Sequence, residues 1–270
     1  MPVFLEQIVI STRGKVAQMK RAADPHELEQ RAEQHVPRGF RWALEEQSRV
    51  GVATIAELKK ASPSKGLIRA EFRVQELARE LEAAGAVALS VLTDEEFFQG
   101  SLENLRQASA AVNIPCLRKD FILDEFQLLE AQANSADAVL LIVAALSQEE
   151  LTRLARGARL RGLDVLCEVH DEEELQRALD AGCDLIGVNT RDLRTFKVDL
   201  QTAFRLAEML PKNVVKVAES GIRSAEDIAR LRATGYQAFL IGESLMRAER
   251  PGKALRALVA STEHRVPGGR

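Results

Sequence analysis

"AVLLIVAA", residues 138–145, runs through eight apolar residues without a polar one. A strand with one wet face alternates polar and apolar side chains, whereas a strand covered on both faces has no need to. The next stretch, "LSQEELTRLARGARLRG" (146–162), sets Ser147 three residues before Glu150, the spacing of a reciprocal helix N-cap, and ends on Gly162. A buried strand, a capped helix and a glycine stop make one β–α unit of a parallel sheet.

Outward from this stretch the unit recurs. "GVATIAEL" (51–58), "AVALSVLT" (86–93) and "IPCLRKDF" (114–121) precede it; "LDVLCEVH" (163–170), "DLIGVNTR" (184–191), "VVKVAESG" (214–221) and "QAFLIGES" (237–244) follow. Between them lie helical spacings such as "RVQELARELEAAGA" (73–86), where Val74, Leu77, Ala78 and Leu81 fall at i, i+3, i+4 and i+7. Asp171 with Glu174 and Ser224 with Asp227 repeat the capping pattern, and Gly85, Gly182 and Gly235 repeat the stop. Eight such units predict a closed (β/α)8 TIM barrel within the α/β class. Residues 1–48 hold no strand pattern; "FLEQIVISTRGKVAQMKRA", "DPHELEQRAEQ" and "PRGFRWALEE" read as helices, an N-terminal helical extension packed on the barrel. It is too short to bury a core of its own, so the expectation is one domain over 1–270. The tail "HRVPGGR" is expected to fray.

A formal net charge of -3 with both signs mixed offers nothing that nucleic acid or an anionic membrane would seek. Arg153, Arg156, Arg159 and Arg161 read as a solvated helix face. The odd set Cys116, Cys167 and Cys183 lies among apolar residues without metal-site spacing, predicting reduced core thiols and a reducing, cytoplasmic setting. The N-terminal stretch lacks the long apolar run of a signal peptide, and no segment is long enough to span a membrane.

Charge collects at one end of the strands. Function in such a barrel belongs at the C-terminal strand ends, and there stand Glu57 and Lys59, then Arg118, Lys119 and Asp120, then Glu168, Asn189 with Arg191, and Glu219 with Ser220. Each has a plainer structural reading: Glu57 with Lys59 as an ion pair, Lys119 beside Asp120 as a solvated loop pair, Glu168 as a cap for the next helix. Their gathering at one rim favours a site. Gly221 after the seventh strand and Gly242-Glu243 after the eighth allow close backbone approach to an anion, and Ser62 after the first strand adjoins them in a closed barrel. The reading is a small anionic, phosphate-bearing substrate undergoing acid–base chemistry.

The motifs "IAELKKASPSKGLI", "LSVLTDEEFFQGS", "PCLRKDFILDEFQ", "CEVHDEEEL", "IGVNTRDLRTFKVD", "VAESGI" and "FLIGESLM" resemble, in order, those of the indole-3-glycerol phosphate synthase family of tryptophan biosynthesis. The resemblance implies decarboxylating, dehydrating ring closure of 1-(2-carboxyphenylamino)-1-deoxyribulose 5-phosphate without metal or organic cofactor. It implies Lys119 as the general acid for the carbonyl oxygen and Glu168 as the proton carrier in dehydration. Lys59, a second candidate acid, Glu57, Asn189 and Glu219 complete the catalytic set, and Arg191 is suited to a carboxylate. Ser62, Ser220, Gly221, Gly242 and Glu243 (through its backbone N–H) fall at the phosphate loops, with Phe98 and Phe121 as apolar walls for the aromatic ring. A monomer is expected. Two rivals stay open: another phosphate-binding barrel enzyme such as a sugar-phosphate isomerase, which would favour a Cys or Asp pair, and a barrel that binds without catalysing.

Overall fold

The structure is a computed structural model that describes residues 3–192 and 195–263. The tail expected to fray, and Leu193-Arg194 of "NTRDLRTFKVD", lie outside the described residues. The eight apolar runs form the strands β1 (Ala53–Leu58), β2 (Ala88–Leu92), β3 (Cys116–Lys119), β4 (Ala138–Ile142), β5 (Asp164–Val169), β6 (Leu185–Asn189), β7 (Val215–Glu219) and β8 (Ala238–Ile241). All pair in parallel, and β1 bonds both β2 and β8, so the sheet closes into a barrel. "AVLLIVAA" is strand only to Ile142; Val143–Ala145 turn into one 3-10 turn.

Three helices precede the barrel: α1 (Val3–Ala22), α2 (Pro25–Glu33) and α3 (Phe40–Val50). Asp24 caps α2 as Pro25 opens it, its carboxylate accepting the His26 N–H at 2.9 Å. Among the helices between strands are α4 (Val74–Ala83), α5 (Glu95–Phe98), α6 (Leu102–Ala111), α7 (Glu125–Ala133), α8 (Gln148–Leu160) and α9 (Glu172–Asp180). After them come α10 (Gln201–Ala207), α11 (Ala225–Ala233), α12 (Glu243–Arg247) and α13 (Pro251–Glu263). On α4 the four residues picked by spacing are all buried. The reciprocal cap forms at Ser147–Glu150 and Ser224–Asp227. At Asp171 it does not: Asp171 accepts the Glu174 N–H, but the Glu174 carboxylate turns back to the N–H of His170.

The extension touches both ends of the barrel. At the N-terminal end of the strands, Asp137 accepts from the backbone and guanidinium of Arg38 and from the Cys116 N–H, and Asp164 accepts the Arg41 N–H. These bonds seat α3 with Phe40 and Leu44 fully buried. At the C-terminal end α1 reaches the starts of the helices that follow three strands: Lys15 pairs with Glu96 of α5, Lys20 with Asp124 before α7 and Arg13 with Glu150 of α8. The arginine run on and after α8 is not simply solvated. Arg161 joins Glu29 of α2 at 2.8 Å, and Arg159 donates to the Gly182 carbonyl. Cys116, Cys167 and Cys183 are buried and free. No helix among the described residues is long and apolar enough to cross a membrane.

Candidate active site

A cavity of about 450 Å³ opens at the C-terminal ends of the strands. It gathers every residue that the family resemblance marks: Glu57, Lys59 and Ser62 from β1 and its loop, Phe98, Lys119 and Phe121, then Glu168, Asn189, Arg191, Glu219, Ser220, Gly221, Gly242 and Glu243. Period-two alternation explains the selection on each strand. On β3, Lys119 faces the cavity while Arg118 faces outward, buried at 3% exposure, and pairs with Asp120 at 3.0 Å and Glu130 of α7 at 2.8 Å. Arg118, counted with the rim on sequence grounds, is therefore a structural cation between strand and helix.

At the centre is Lys119. Its Nζ lies 2.8 Å from Oε2 of Glu168 and 3.1 Å from Oε2 of Glu219. Burial alone would lower the ammonium pKa, but the carboxylates of Glu168, Glu219 and Glu57 outweigh it and hold the pKa above the ordinary lysine range. So Lys119 is no solvated partner of Asp120, and Glu168 is no helix cap. Burial would raise the Glu168 pKa; Lys119, then His170, hold it well below the usual carboxylate range. Glu219 goes the other way. Burial pushes it up against the pull of Lys119, and Glu168 adds like-charge repulsion, leaving it at about 7. Its Oε1 is buried with no hydrogen-bond partner among the described residues, an acceptor or donor position left for a ligand. Two carboxylates of one site are thus pushed in opposite directions: they share Lys119, but Glu168 has His170 as a second cation, whereas burial and the charge of Glu168 prevail at Glu219.

Glu57, 2% exposed, pairs with Lys59 two residues on, and Ser90 reaches its other oxygen at 3.5 Å. The ion pair read as a structural alternative does exist, inside the cavity. Two glycines make room for these acids. A Cβ on Gly187 would overlap Oε1 of Glu219, and one on Gly242 would overlap the Glu57 carboxylate. Neither role was readable, since nothing in "DLIGVNTR" names the neighbour across the sheet.

The anion side follows from strand order: β8 lies between β1 and β7, so Ser62, Ser220-Gly221 and Gly242-Glu243 come from adjacent strands. Ser220 and Gly221 are successive left-handed residues, φ 64° and 75°, held by Thr190, whose hydroxyl donates to the Ser220 carbonyl at 3.1 Å. A side chain on Gly221 would be strained and would meet Val198. Glu243 opens α12, and its carboxylate faces Arg191 at 3.7 Å and Arg247 at 3.1 Å. The Asn189 side-chain oxygen accepts the Arg191 N–H at 3.1 Å, setting the turn that carries Arg191 to the cavity. Phe98 and Phe121 stand as tilted neighbours, ring centroids 6.4 Å apart.

Sequence reading missed several contributors: Leu5 and Ile8 of α1, Arg223 and Arg247 on the cavity wall, and His170 behind Glu168. Helical periodicity marks α1 as amphipathic without saying what its apolar face covers. Among the described residues, no group of three or more His, Cys, Asp or Glu is arranged to hold a metal ion. Burial pushes the Cys116 thiol up to about 12 and the Cys167 thiol is raised by its Cys183 neighbour, so neither thiol is activated.

The family described as Indole-3-glycerol phosphate synthase matches residues 5–258. A relative named indole-3-glycerol phosphate synthase from Koribacter versatilis is 62% identical over 255 residues, covering 94% of this chain and 98% of that one. Its namesake from Carboxydothermus hydrogenoformans is 47% identical over 264 residues, 96% of this chain and all of the other. Among solved structures, thiamine phosphate pyrophosphorylase from Pyrococcus furiosus superposes with a TM-score of 0.60 over 82% of this chain and 100% of that one. At 18% identity that likeness speaks for the barrel alone.

Proposed function

Because the chain belongs to the indole-3-glycerol phosphate synthase family, we propose that its cavity closes an indole ring, converting 1-(2-carboxyphenylamino)-1-deoxyribulose 5-phosphate to indole-3-glycerol phosphate, CO2 and water. The observation that carries the reading is the Lys119 ammonium, buried between Glu168 and Glu219 and beside the glycine loops after β7 and β8. In the first step the ring carbon bearing the carboxylate attacks the chain ketone, and negative charge grows on the carbonyl oxygen. Lys119 gives that oxygen a proton, a preorganised donor worth on the order of 3 kcal/mol in a sheltered site. The carbon–carbon bond to the carboxylate then breaks, CO2 leaves, and its electron pair restores the aromatic ring.

Dehydration needs one proton delivered to the departing hydroxyl and one removed from the neighbouring ring carbon. Glu168, held ionised by its cations, suits the removal. Lys59, kept in the cavity by Glu57, is the second ammonium able to deliver a proton. Glu219, its carboxyl pKa raised by burial above the usual range, suits a hydrogen bond to a substrate hydroxyl while it orients Lys119. Asn189 and Arg191 would position the aromatic carboxylate, Phe98 and Phe121 flank the ring, and Ser62, Ser220, Gly221, Gly242 and Glu243 receive the phosphate. Phosphate binding far from the reacting carbons can hold a flexible chain in its cyclising conformer. The isomerase rival, which would favour a Cys or Asp pair, has little support: Lys119 sits between Glu168 and Glu219 with Lys59 beside Glu57, and Cys116 and Cys167 lie outside the cavity lining, held protonated by burial and by the Cys183 neighbour respectively. We further read the protein as a cytoplasmic monomer of one domain working without metal or organic cofactor.

The test is direct. Purified protein mixed with the carboxyphenylamino-deoxyribulose phosphate should generate indole fluorescence. Silence, under conditions where the Koribacter relative responds, would overturn the proposal in favour of a non-catalytic barrel.

A further inference from the structure

Beneath Glu168, on the side away from substrate, sits a second carboxylate–imidazole contact that the reaction scheme leaves unused. His170 follows β5 immediately and is 13% exposed at its side chain. Its Nδ1 lies 2.9 Å from Oε2 of Glu174, whose same oxygen takes the His170 backbone N–H at 2.8 Å. Its Nε2 lies 3.4 Å from Oε1 of Glu168, while Oε2 of Glu168 faces Lys119 at 2.8 Å. Both ring nitrogens therefore face carboxylate oxygens, Nδ1 within a hydrogen bond of Glu174 and Nε2 at ion-pair distance from Glu168 without closing a hydrogen bond. A neutral imidazole has one N–H and one lone pair, and a lone pair turned onto a carboxylate is repelled; only the imidazolium offers a donor to each side. We propose that His170 is a positioning residue of the reaction: anchored by Glu174, it holds Oε1 of Glu168 so that Oε2 stays aimed at Lys119 and the substrate.

The inference rests on the proposed role of Glu168 and gives it a cause. When Lys119 hands its proton to substrate, Glu168 loses its cation on the cavity side. Lys59 belongs to Glu57, and the Glu219 carboxyl on the facing strand adds no positive charge. His170 then remains as the positive neighbour that keeps Glu168 ionised and ready to take up the next proton. Burial would depress the imidazole, yet Glu168 and Glu174 bring it up to about 10, in keeping with a permanent cation at working pH. Glu174, on α9, completes a line from helix surface to cavity floor: Glu174, His170, Glu168, Lys119.

Three variants test this. In His170→Gln, which keeps a donor and loses the charge, kcat should fall roughly ten-fold, as when the outer partner of an oriented site residue is lost. KM for substrate and inhibition by inorganic phosphate should stay unchanged. The acidic limb of the kcat–pH profile should move up by about one unit, the shift an opposite charge at this range produces. Glu174→Gln, which keeps the acceptor for the His170 N–H, should move the limb in the same direction by less. If His170→Gln does not fold, Glu174→Gln alone decides. An unmoved limb in the folded variants makes His170 a mere strand-end residue and overturns the inference. Glu168→Gln separates the two claims: full activity there removes the role of Glu168 itself, whereas inactivity there with an unmoved limb in the other two removes only His170.

Discussion

At the scale of single residues the cavity is a problem in shared charge. Lys119 is surrounded by the charges of Glu168, Glu219 and Glu57, so its replacement removes the proposed proton donor together with a cation that holds Glu168 ionised. Lys119→Met, of similar length, should lower kcat by at least about 10³-fold while melting temperature and phosphate binding stay close to the parent; near-normal kcat would remove Lys119 from its role. His170 supplies a stability signature as well. Its pKa is about 10 in the fold against 6.5 for an unperturbed imidazole, so folding takes up a proton between those values. The stabilisation is complete below about 6.5 and is lost as pH rises through about 10. Thermal melts over that window should slope downward, and His170→Gln should flatten the slope. Lys119 and Glu168 were legible because a charge inside an apolar run is conspicuous. Gly187 and His170 were not: one acts by lacking a side chain beside Glu219, the other through Glu174, which the sequence offered as part of a helix cap.

At the scale of elements the sequence told more. The strands fell within the marked runs because parallel strands buried on both faces admit few polar residues, and α4 buried the four positions its period selects. The destination of α1 stayed hidden, for an amphipathic helix does not name the surface it covers. In the structure α1 brings Leu5 and Ile8 to the cavity wall and is strapped down by three exposed ion pairs, each worth under about 1 kcal/mol. Straps so weak hold a cover without fixing the fold. Removing two together, Arg13→Ala with Lys20→Ala, should therefore raise KM and leave kcat and the melting temperature nearly unchanged. A large drop in melting temperature with KM intact would show that α1 serves the barrel and not the site.

At the scale of the whole molecule, the order of the strands gathers the proposed anion loops on three adjacent strands, while Lys119 and Glu168 project from β3 and β5 beyond them. The proposed phosphate loops follow β7, β8 and β1; Glu168, the proposed base, comes from β5 opposite β1. Inorganic phosphate should therefore inhibit competitively against substrate, measured by initial rates, and absent or uncompetitive inhibition would speak against those loops. The barrel was legible at this scale because closure follows from counting eight units. The double attachment of residues 1–48 was not, because Arg38 meets Asp137 and Lys20 meets Asp124 across about a hundred intervening residues that no local pattern links.

Glu57, Lys119, Glu168 and Glu219 rise from β1, β3, β5 and β7, that is, from every second stave. Alternate strands of such a barrel ordinarily fill one tier of its interior with branched aliphatic side chains. Here that uppermost tier has been given over to ions, each of which must shed its hydration as the cylinder shuts. On the proposed roles of these residues the enzyme carries a built-in tension between durability and turnover: greasing the tier would make a sturdier cylinder and an inert one.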